Sequence, residues 1–370
     1  MGSVTPYQTV AGKRYRVRYR KPDTSQTDKR GFRTKREAEL FLASGEVSKS
    51  RGAYLDPTKA RITVGEWMAL WISSRNDLRA TTRTRVIGII DTHINPKLGS
   101  VAIGDLNRLR VQQWASSIPG APQTVRKTVN VLSGALQLAI EDGRLSANPA
   151  ARLKLPKTIK TSKRYLSHDQ VAALAKKVNE LPNGKANGYG LLILVLAYCG
   201  LRWGELSGLR VGDVDLARGR IIVRQTVVMD KGHQRIEAPK DYEHRSIPIP
   251  AFMIEPLRTQ IAGRAETAPV FFGIHTKTWL RNASFRKSWF DPAATSVGLE
   301  GITPHEMRHT AASLAVSAGA NVKAVQKMLG HASAVITLDT YADLFDQDLD
   351  TVAVALDREA MRSKIRDLWP

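Results

Sequence analysis

The sequence predicts a multidomain, mainly α-helical protein with small sheets. Near the N-terminus, basic and apolar residues alternate as they do in a β-strand, which indicates a small α+β module. Capping boxes and helical periodicity then predict a helical domain over 61–150. An apolar helix that is broken by glycine and followed by short strands predicts an α-rich last domain with a small antiparallel sheet. At 370 residues the chain has room for two or three domains, each with its own core.

The charge balance narrows the possible partners. The 56 Lys and Arg residues against 34 Asp and Glu give a net charge of +22 and a pI near 10.2. A folded protein this basic usually binds a polyanion, most often nucleic acid, although a merely cationic or ribosome-associated protein is the alternative. The longest apolar run, 191–199, is too short to cross a bilayer and no signal peptide is visible. The simplest expectation is a cytoplasmic protein without a membrane partner.

The first module, residues 1–55, contains a strand with two different faces. Three apolar side chains point one way, and the side chains that point the other way are Arg14, Arg16, Arg18 and Arg20. A second short strand around Gly31 and a capping box that starts at Thr34 lead into a helix. The arginine face is either a solvated surface or a surface that binds DNA.

The helical domain, 61–150, begins at a capping box that runs from Thr63 to Glu66. Trp67 and Trp71 belong to a helical stripe that is typical of a core. Further helical patterns cover 82–94, 106–117 and 122–142.

The stretch 151–164 separates this domain from the last one. It holds six basic residues, no acidic residue, one proline and little apolar periodicity, which predicts an extended basic linker. The lysines in it that we expect to contact DNA are Lys154, Lys157, Lys160 and Lys163.

The last domain, 165–370, begins at a capping box formed by Ser167 and Gln170. Its apolar helix ends at Gly200, and three short strands are predicted at about 219–228, 233–238 and 245–249. Chemistry at a DNA phosphate would need cationic donors for the phosphoryl oxygens, a nucleophile, and an acid for the leaving oxygen. The residues of this domain that can supply these groups are Arg202, Lys240, His305, Arg308, His331 and Tyr341.

This series resembles the tyrosine recombinases of the phage-integrase family. The family pattern is Arg-x-x-Glu, a hairpin Lys, His-x-x-Arg and then Leu-Gly-His, followed ten residues later by the nucleophilic Tyr. The residues that match it are Arg202 with Glu205, Lys240, His305 with Arg308, and Leu329-Gly330-His331 ahead of Tyr341. The match covers 165 to about 345. More loosely, 61–150 resembles the SAM-like core-binding domain, and 1–55 the arm-binding domain, of temperate-phage or mobile-element integrases.

The resemblance implies site-specific integration and excision of a phage or mobile element through a covalent intermediate. Tyr341 would attack a DNA phosphate to give a 3′-phosphotyrosine and a free 5′-hydroxyl, and the reverse step would join another strand. His305 would take or share the tyrosine proton, and Lys240, with Lys231 as the alternative, would protonate the leaving oxygen. Because bond energy is kept in the intermediate, we expect no ATP, metal or other cofactor.

The remaining residues of the pattern would bind the phosphate. The guanidinium groups of Arg202 and Arg308 suit its non-bridging oxygens, and His331 can donate a further hydrogen bond. Each arginine could instead form a structural ion pair, for instance with Glu205. Glu205 itself is expected to orient its neighbours.

The resemblance also implies partners. These are double-stranded DNA with core and arm attachment sites, three further copies of the chain in a homotetramer, and accessory DNA-bending and directionality proteins in the nucleoid of a bacterial host. The segment after Tyr341 would dock onto a neighbouring copy or pack on its own domain. The alternatives are a non-cleaving DNA-binding regulator of the same fold and an enzyme similar to type IB topoisomerases.

One further motif overlaps the series. Residues 305–309 match H-E-x-x-H, in which two histidines bind zinc and the glutamate is a general base. Here Arg308 stands between the histidines, no later His or Glu completes a convincing third ligand, and a protease has no use for a charge of +22. We therefore expect no metal at His305 and His309.

Overall fold

The computed structural model describes residues 2–20, 26–50, 59–158, 163–239, 245–274, 278–345 and 349–362. The chain forms two compact units, 1–160 and 161–370. None of the described helices combines the length and the apolar character that a membrane crossing requires.

The N-terminal module is a three-stranded antiparallel sheet with one helix packed against it. Its elements are β1 (Ser3–Thr9), β2 (Gly12–Arg20), β3 (Gln26–Phe32) and α1 (Lys35–Ser50), with β2 in the middle of the sheet. Val17 and Tyr19 of β2 are buried, whereas Arg18 and Arg20 are exposed, which confirms the predicted alternation. Arg14 and Arg16 are partly buried. The sequence did not predict β1, because it contains Pro6, which a strand accepts only at a sheet edge such as this one.

The second region of this unit is helical. Its helices are α2 (Val64–Ser74), α3 (Ala80–Ile89), α4 (Asn95–Leu98), α5 (Arg108–Ser116) and α6 (Pro122–Glu141), with a π-helical turn at Ile90–Ile94 and 3₁₀ turns at Lys59–Arg61 and Ile103–Asp105. The predicted capping box is present, since Thr63 and Glu66 each bond to the backbone of the other. Trp67 and Trp71 are buried, and the Trp67 indole donates to the Ala135 carbonyl at 2.8 Å.

The first half of the predicted linker is bound to these helices instead of being free. The Gln112 side chain donates to the Lys154 carbonyl and accepts from the Lys154 amide, both at 2.9 Å. Arg126 donates to the Pro156 carbonyl at 2.9 Å. The side chains of Lys154 and Lys157 remain exposed, while Lys160 lies outside the described residues.

The second unit has a large helical core. Its helices are α7 (His168–Glu180), α8 (Tyr189–Cys199), α9 (Trp203–Ser207), α10 (Ile254–Ile261), α11 (Asn282–Phe285), α12 (Asp291–Ser296), α13 (Pro304–Ser317), α14 (Val322–Leu329), α15 (Ala334–Phe345) and α16 (Leu349–Arg362), with 3₁₀ turns at Val211–Asp213 and Ala251–Met253 and a π-helical turn at Arg286–Phe290. The apolar helix α8 is buried on nearly all sides and packs against α7 and α13. It therefore fixes α13, which carries several of the candidate site residues.

The strands of this unit form two small antiparallel sheets. They are β4 (Val214–Asp215), β5 (Arg220–Val223) and β8 (Arg245–Pro248) in one sheet, and β6 (Thr226–Asp230) with β7 (His233–Glu237) in the other. The single strand predicted at 219–228 is therefore wrong. The chain turns away after β5, where Arg224 pairs with Asp213 and Gln225 bonds to the Gly208 carbonyl.

Candidate active site

Arg202 is held at the start of α9, two residues after a glycine-terminated helix. Gly200 has a φ of 63°, the left-handed conformation that ends α8. Nη1 of Arg202 lies 2.9 Å from Oε1 of Glu205, and Nη2 donates to the Gly330 carbonyl at 3.1 Å. The backbone N–H of Arg202 donates to Oε2 of Glu205 at 2.8 Å. The guanidinium is thus fixed, yet 30% of the side chain remains exposed to solvent.

Arg245, a residue that the sequence analysis missed, completes this arrangement. It lies at the start of β8 and contacts both carboxylate oxygens of Glu205, with Nη1 2.9 Å from Oε1 and Nη2 2.5 Å from Oε2. Burial opposes ionisation of Glu205, but the hydrogen bond and charge of Arg245 and the charge of Arg202 outweigh it, so the pKa of Glu205 is lowered. Glu205 therefore contacts both Arg202 and Arg245, and its predicted role of orienting its neighbours stays a prediction.

Arg308 adds a third guanidinium to the same cluster. Its side chain is buried, with Nη1 2.6 Å from the Gly200 carbonyl oxygen and Nη2 2.5 Å from that of Leu329. Burial and the charge of Arg202 lower the pKa of Arg308 to about 10, although the charge of Glu205 raises it. Three guanidinium groups therefore share one carboxylate, and the excess of positive charge suits a phosphate.

Tyr341 lies in a kink of α15, with a φ of −130° and a ψ of 20°. Its ring is 1% exposed, and its hydroxyl oxygen is 2.9 Å from Nδ1 of His309. The sequence assigned the tyrosine contact to His305. The role of His305 in taking the tyrosine proton stays a prediction, but in the DNA-free structure the hydrogen bond is made by His309, one turn later on α13.

Burial and the nearby charges determine the protonation state of both partners at neutral pH. Burial raises the pKa of Tyr341 to about 12, although the charge of Arg308 lowers it. Burial, with further contributions from His305, Lys163 and Arg308, lowers the pKa of His309 to about 4. At neutral pH both groups are therefore neutral, and in the tautomer of His309 that carries its proton on Nε2 the tyrosine hydroxyl donates to Nδ1.

His305 lies one turn before His309 on α13, and the main charged groups that act on it are Arg308 and Arg202. Burial and the charges of Arg308 and Arg202 lower its pKa, and its ring meets that of His309 edge-on, with the centroids 5.1 Å apart. The glutamate of the H-E-x-x-H motif has a structural role, since Glu306 accepts the Thr303 backbone N–H at 2.8 Å. Across the described ranges, no group of three His, Cys, Asp or Glu side chains is placed to hold a metal ion.

His331 flanks Tyr341 on another side. The two rings are nearly parallel, at 12° with the centroids 6.3 Å apart. Nδ1 of His331 lies 2.9 Å from the Thr337 hydroxyl. That contact fixes the orientation of the ring and directs Nε2 the other way.

The predicted lysines have different outcomes. Lys163, assigned to DNA, donates instead to the Thr340 carbonyl, and its Nζ lies 5.4 Å from the centroid of the Tyr341 ring. Lys240 falls within 240–244, outside the described residues, so its role stays a prediction. Lys231, the alternative, lies in the β6–β7 turn with a φ of 48°.

Two family models match the chain. Residues 164–348 match the phage integrase family, and residues 63–118 match its N-terminal SAM-like domain. The chain belongs to the phage integrase family. Membership makes it a site-specific recombinase of the tyrosine type, which confirms the predicted family and enzyme class.

Similar proteins agree with this assignment. A protein named as a prophage phiRv2 integrase, from Mycobacterium tuberculosis, is 25% identical over 275 residues, or 73% of this chain and 72% of that protein. The tyrosine recombinase XerC of Mycobacterium bovis is 27% identical over 233 residues, or 61% of this chain and 76% of that protein.

Solved structures share the fold. The Tn1549 transposon integrase in complex with a circular intermediate DNA has a TM-score of 0.67 at 22% identity, covering 79% of this chain and 99% of that chain. A lambda integrase dimer bound to a core site has a TM-score of 0.57 at 18% identity, covering 90% and 93%. The predicted fold class, mainly α with small antiparallel sheets, is therefore confirmed.

Proposed function

We propose that this recombinase integrates and excises a phage or other mobile DNA element at attachment sites. Tyr341 cleaves one strand to form a 3′-phosphotyrosine, and a 5′-hydroxyl from another strand then displaces it. The observation that carries the proposal is that Tyr341 lies within one cluster with His309, His331 and the buried cation Arg308. A tyrosine in a helical core without this function would not need uncompensated cations around it.

The guanidinium cluster is the proposed phosphate site. Arg202 is the partly exposed group that an incoming phosphate meets, and the charge of buried Arg308 is compensated only in part by Glu205. A non-bridging phosphate oxygen between these guanidinium groups would balance their positive charge. The electrostatic stabilisation would increase in the transition state, because negative charge develops on that oxygen. His331 and His305 are the proposed further donors, and Lys240 is the proposed acid for the leaving 5′-oxygen.

We assign the three regions as follows. The module up to residue 55 binds arm-type sites, the helical domain over 61–150 binds the core site, and the domain from 165 onward performs catalysis. The exposed Lys154 and Lys157 of the basic stretch 151–164 favour DNA contacts there. The substrate places the protein on the DNA of a bacterial host cell.

Assembly as a homotetramer, with accessory DNA-bending and directionality proteins, is part of the proposal. α16 exposes Val354, Leu356 and Met361, at 58%, 67% and 51% of their surface. A cavity of about 750 Å³ opens between α13, α14 and β8 and is lined mostly by apolar residues, among them Leu314 and Met328. Apolar surfaces on both partners support docking of α16 on a neighbouring copy.

The core sequence is first selected from a randomised DNA pool, as the DNA that the wild-type protein captures covalently. The test then uses a nicked duplex with this core sequence. Wild-type protein should form a covalent adduct that survives denaturing electrophoresis. Tyr341→Phe should bind the duplex equally well but form no adduct, because only the hydroxyl is removed. Tyr189→Phe, at a second buried tyrosine of the same domain, is the control. An adduct that persists in Tyr341→Phe would refute the assignment.

A further inference from the structure

The histidine next to Arg308 has no part in the reaction as the sequence predicts it. We propose that His309, rather than His305, is the base that removes the proton of the Tyr341 hydroxyl during cleavage. The proposal rests on the proposed function, since it concerns the same nucleophile, and it begins from the 2.9 Å contact between Nδ1 of His309 and the tyrosine oxygen.

Helix α13 gives His309 a fixed position. Its neighbour Arg308 is held by the carbonyls of Gly200 and Leu329, and Ala312 on the following turn is buried. The imidazole therefore cannot drift far from α15. His305, one turn earlier on α13, lies beside the arginines whose charges lower its pKa. His305 is thus associated with the proposed phosphate-binding arginines, whereas His309 contacts the proposed nucleophile.

Among the described residues, the charged or titratable groups around His309 come from several segments. His305 and Arg308 lie on its own helix, His331 precedes α15, Tyr341 lies on α15, and Tyr165 and Lys163 come from the segment before α7. Burial, and then the positive charge of these groups, disfavours a protonated His309 in the DNA-free protein. A bound phosphate would neutralise much of that charge, and the basicity of His309 would rise when the substrate is in place.

The step balances without a further reactant. The tyrosine oxygen forms a bond to phosphorus, and its proton moves to Nδ1 of His309. The bond between phosphorus and the 5′-oxygen breaks, and that oxygen takes a proton from the ammonium group proposed for Lys240. In the joining step a 5′-hydroxyl attacks phosphorus and gives its proton to the amine proposed for Lys240, while the bond between phosphorus and the tyrosine oxygen breaks and His309 returns its proton to that oxygen.

Two substitutions distinguish whether His309 acts as a base or only holds the tyrosine in place. In His309→Asn the side-chain oxygen can occupy the position of Nδ1 and still accept a hydrogen bond, but it cannot take a proton at neutral pH. His309→Ala removes both functions. If His309 is the base, both variants should form the adduct at least about 10²-fold more slowly than wild type. His168→Asn makes the same replacement at another histidine–tyrosine hydrogen bond, that to Tyr198, and should leave cleavage of an isolated half-site unchanged.

A more acidic nucleophile should bypass the defect. Fluorotyrosine introduced at position 341 loses its proton more easily, so the ratio of the wild-type rate to the His309→Asn rate should shrink. The pH profile gives a second readout, because adduct formation by wild type should fall as acid protonates His309, and the Asn variant should lack that fall. A purely structural role would change neither result.

A measurement on the wild-type protein does not depend on how the variants fold. The imidazole carbon resonance of His309, followed by NMR, should titrate at a higher pH when inorganic phosphate is added. An unchanged titration would overturn the proposal. Cleavage at the wild-type rate by His309→Asn or by His309→Ala would also overturn it. If His309→Asn cleaves normally and His309→Ala does not, His309 only positions the tyrosine, and the proposal is again overturned. Absence of any adduct with the wild-type protein would instead refute the proposed function itself.

Discussion

Arg245 and Glu205, forty residues apart in sequence, form a two-pronged ion pair in the middle of the candidate site. Both carboxylate oxygens of Glu205 are used, and the side chains are 12% and 2% exposed. The same carboxylate also contacts Nη1 and the backbone N–H of Arg202. Arg245 of β8 thus holds Glu205, and Glu205 in turn holds the guanidinium of Arg202, which we assign to the phosphate.

The first prediction concerns this pair. Arg245→Lys keeps the charge but loses the planar fork, and Arg245→Ala leaves a buried carboxylate with one partner fewer. The free energy of unfolding should fall by about 3 kcal/mol in Arg245→Ala and by less in Arg245→Lys, as measured by urea denaturation. Adduct formation should fall in both, because Arg202 loses its orientation.

Arg258→Ala is the matched control. It also breaks an arginine–glutamate pair, with Glu255, but both side chains are more than half exposed. Exposed pairs contribute little to stability. If Arg245→Ala were no more destabilising than Arg258→Ala, Glu205 would not depend on Arg245.

A second prediction follows from the approach of Arg245 to Gly330. Gly330 has a φ of 63°, and a Cβ atom built on it would lie 2.8 Å from Cδ and 3.0 Å from Nε of Arg245. Gly330→Ala should therefore impose left-handed strain of about 1–2 kcal/mol and also displace Arg245. We expect a loss of stability larger than the strain alone, together with a loss of cleavage.

Gly143→Ala isolates the strain. Gly143 has a φ of 69°, but nothing lies within 4 Å of its added Cβ. The difference between the melting temperatures of the two variants reports the clash with Arg245. Equal melting temperatures and normal cleavage in Gly330→Ala would mean that Arg245 can move aside freely.

The third prediction is a pH dependence of stability. The pKa of His309 falls from 6.5 to about 4 on folding, and that of His305 is also lowered. Between these values the unfolded chain binds more protons than the folded chain, so stability should fall as the pH drops from about 6.5 toward 4. His309→Asn should flatten this part of the profile, measured by urea denaturation at a series of pH values.

Glu205 should act in a more acidic range. Its pKa is lowered below 4.5 in the folded chain, so its contribution to stability should persist until the pH falls through that lowered pKa. A profile that is flat from pH 7 to 4 would contradict the lowered pKa values of His309 and His305.

Local signals in the sequence predicted local structure well. The capping boxes at Thr63 and Ser167 are present because each needs only residues three apart. The alternation around Val17 correctly predicted which face of β2 is buried. The strand β1 was missed because the proline in it hides the pattern, and only its partner β2 gives it a place.

The contacts that build the site could not be predicted from spacing. Arg245 reaches Glu205, and Tyr341 reaches His309, only because α9, β8, α13 and α15 pack together. The family pattern named the proposed nucleophile and the proposed phosphate-binding arginines, and it favoured His305 over a histidine outside the pattern. The contact of Tyr341 with His309 became visible only in the packing of α13 against α15.

The fourth prediction concerns metal. Among the described residues no third ligand accompanies His305 and His309, and the Glu306 carboxylate accepts hydrogen bonds from Thr303. Cleavage and joining should therefore proceed undiminished in excess EDTA, and elemental analysis of the purified protein should find no stoichiometric zinc. Inhibition by chelator that added zinc reverses would restore the metal interpretation of H-E-x-x-H.

The last prediction concerns the N-terminal module. Arg18 and Arg20 are exposed on β2, while the residues between and beside them are buried in the small core. Arginines on a narrow sheet can enter a DNA groove and contact both phosphates and base edges. If the module binds arm sites, removing residues 1–55 should leave binding and cleavage of the core site largely intact. It should abolish binding to separate flanking sites and, with it, productive integration.

A milder change tests the arginine face itself. Arg18→Ala combined with Arg20→Ala removes two exposed charges without disturbing Val17 or Tyr19, so the sheet should keep its stability. Footprinting across an attachment site several hundred base pairs long should show the same lost flanking protection in this variant as in the truncation. Weaker protection everywhere, at core and flanks alike, would indicate a general charge effect. If the wild-type protein, the truncation and the double variant all protect the same sequences, the arginine face is a solvated surface or a protein contact. The catalytic assignment would stand, because it depends on α9, α13 and α15.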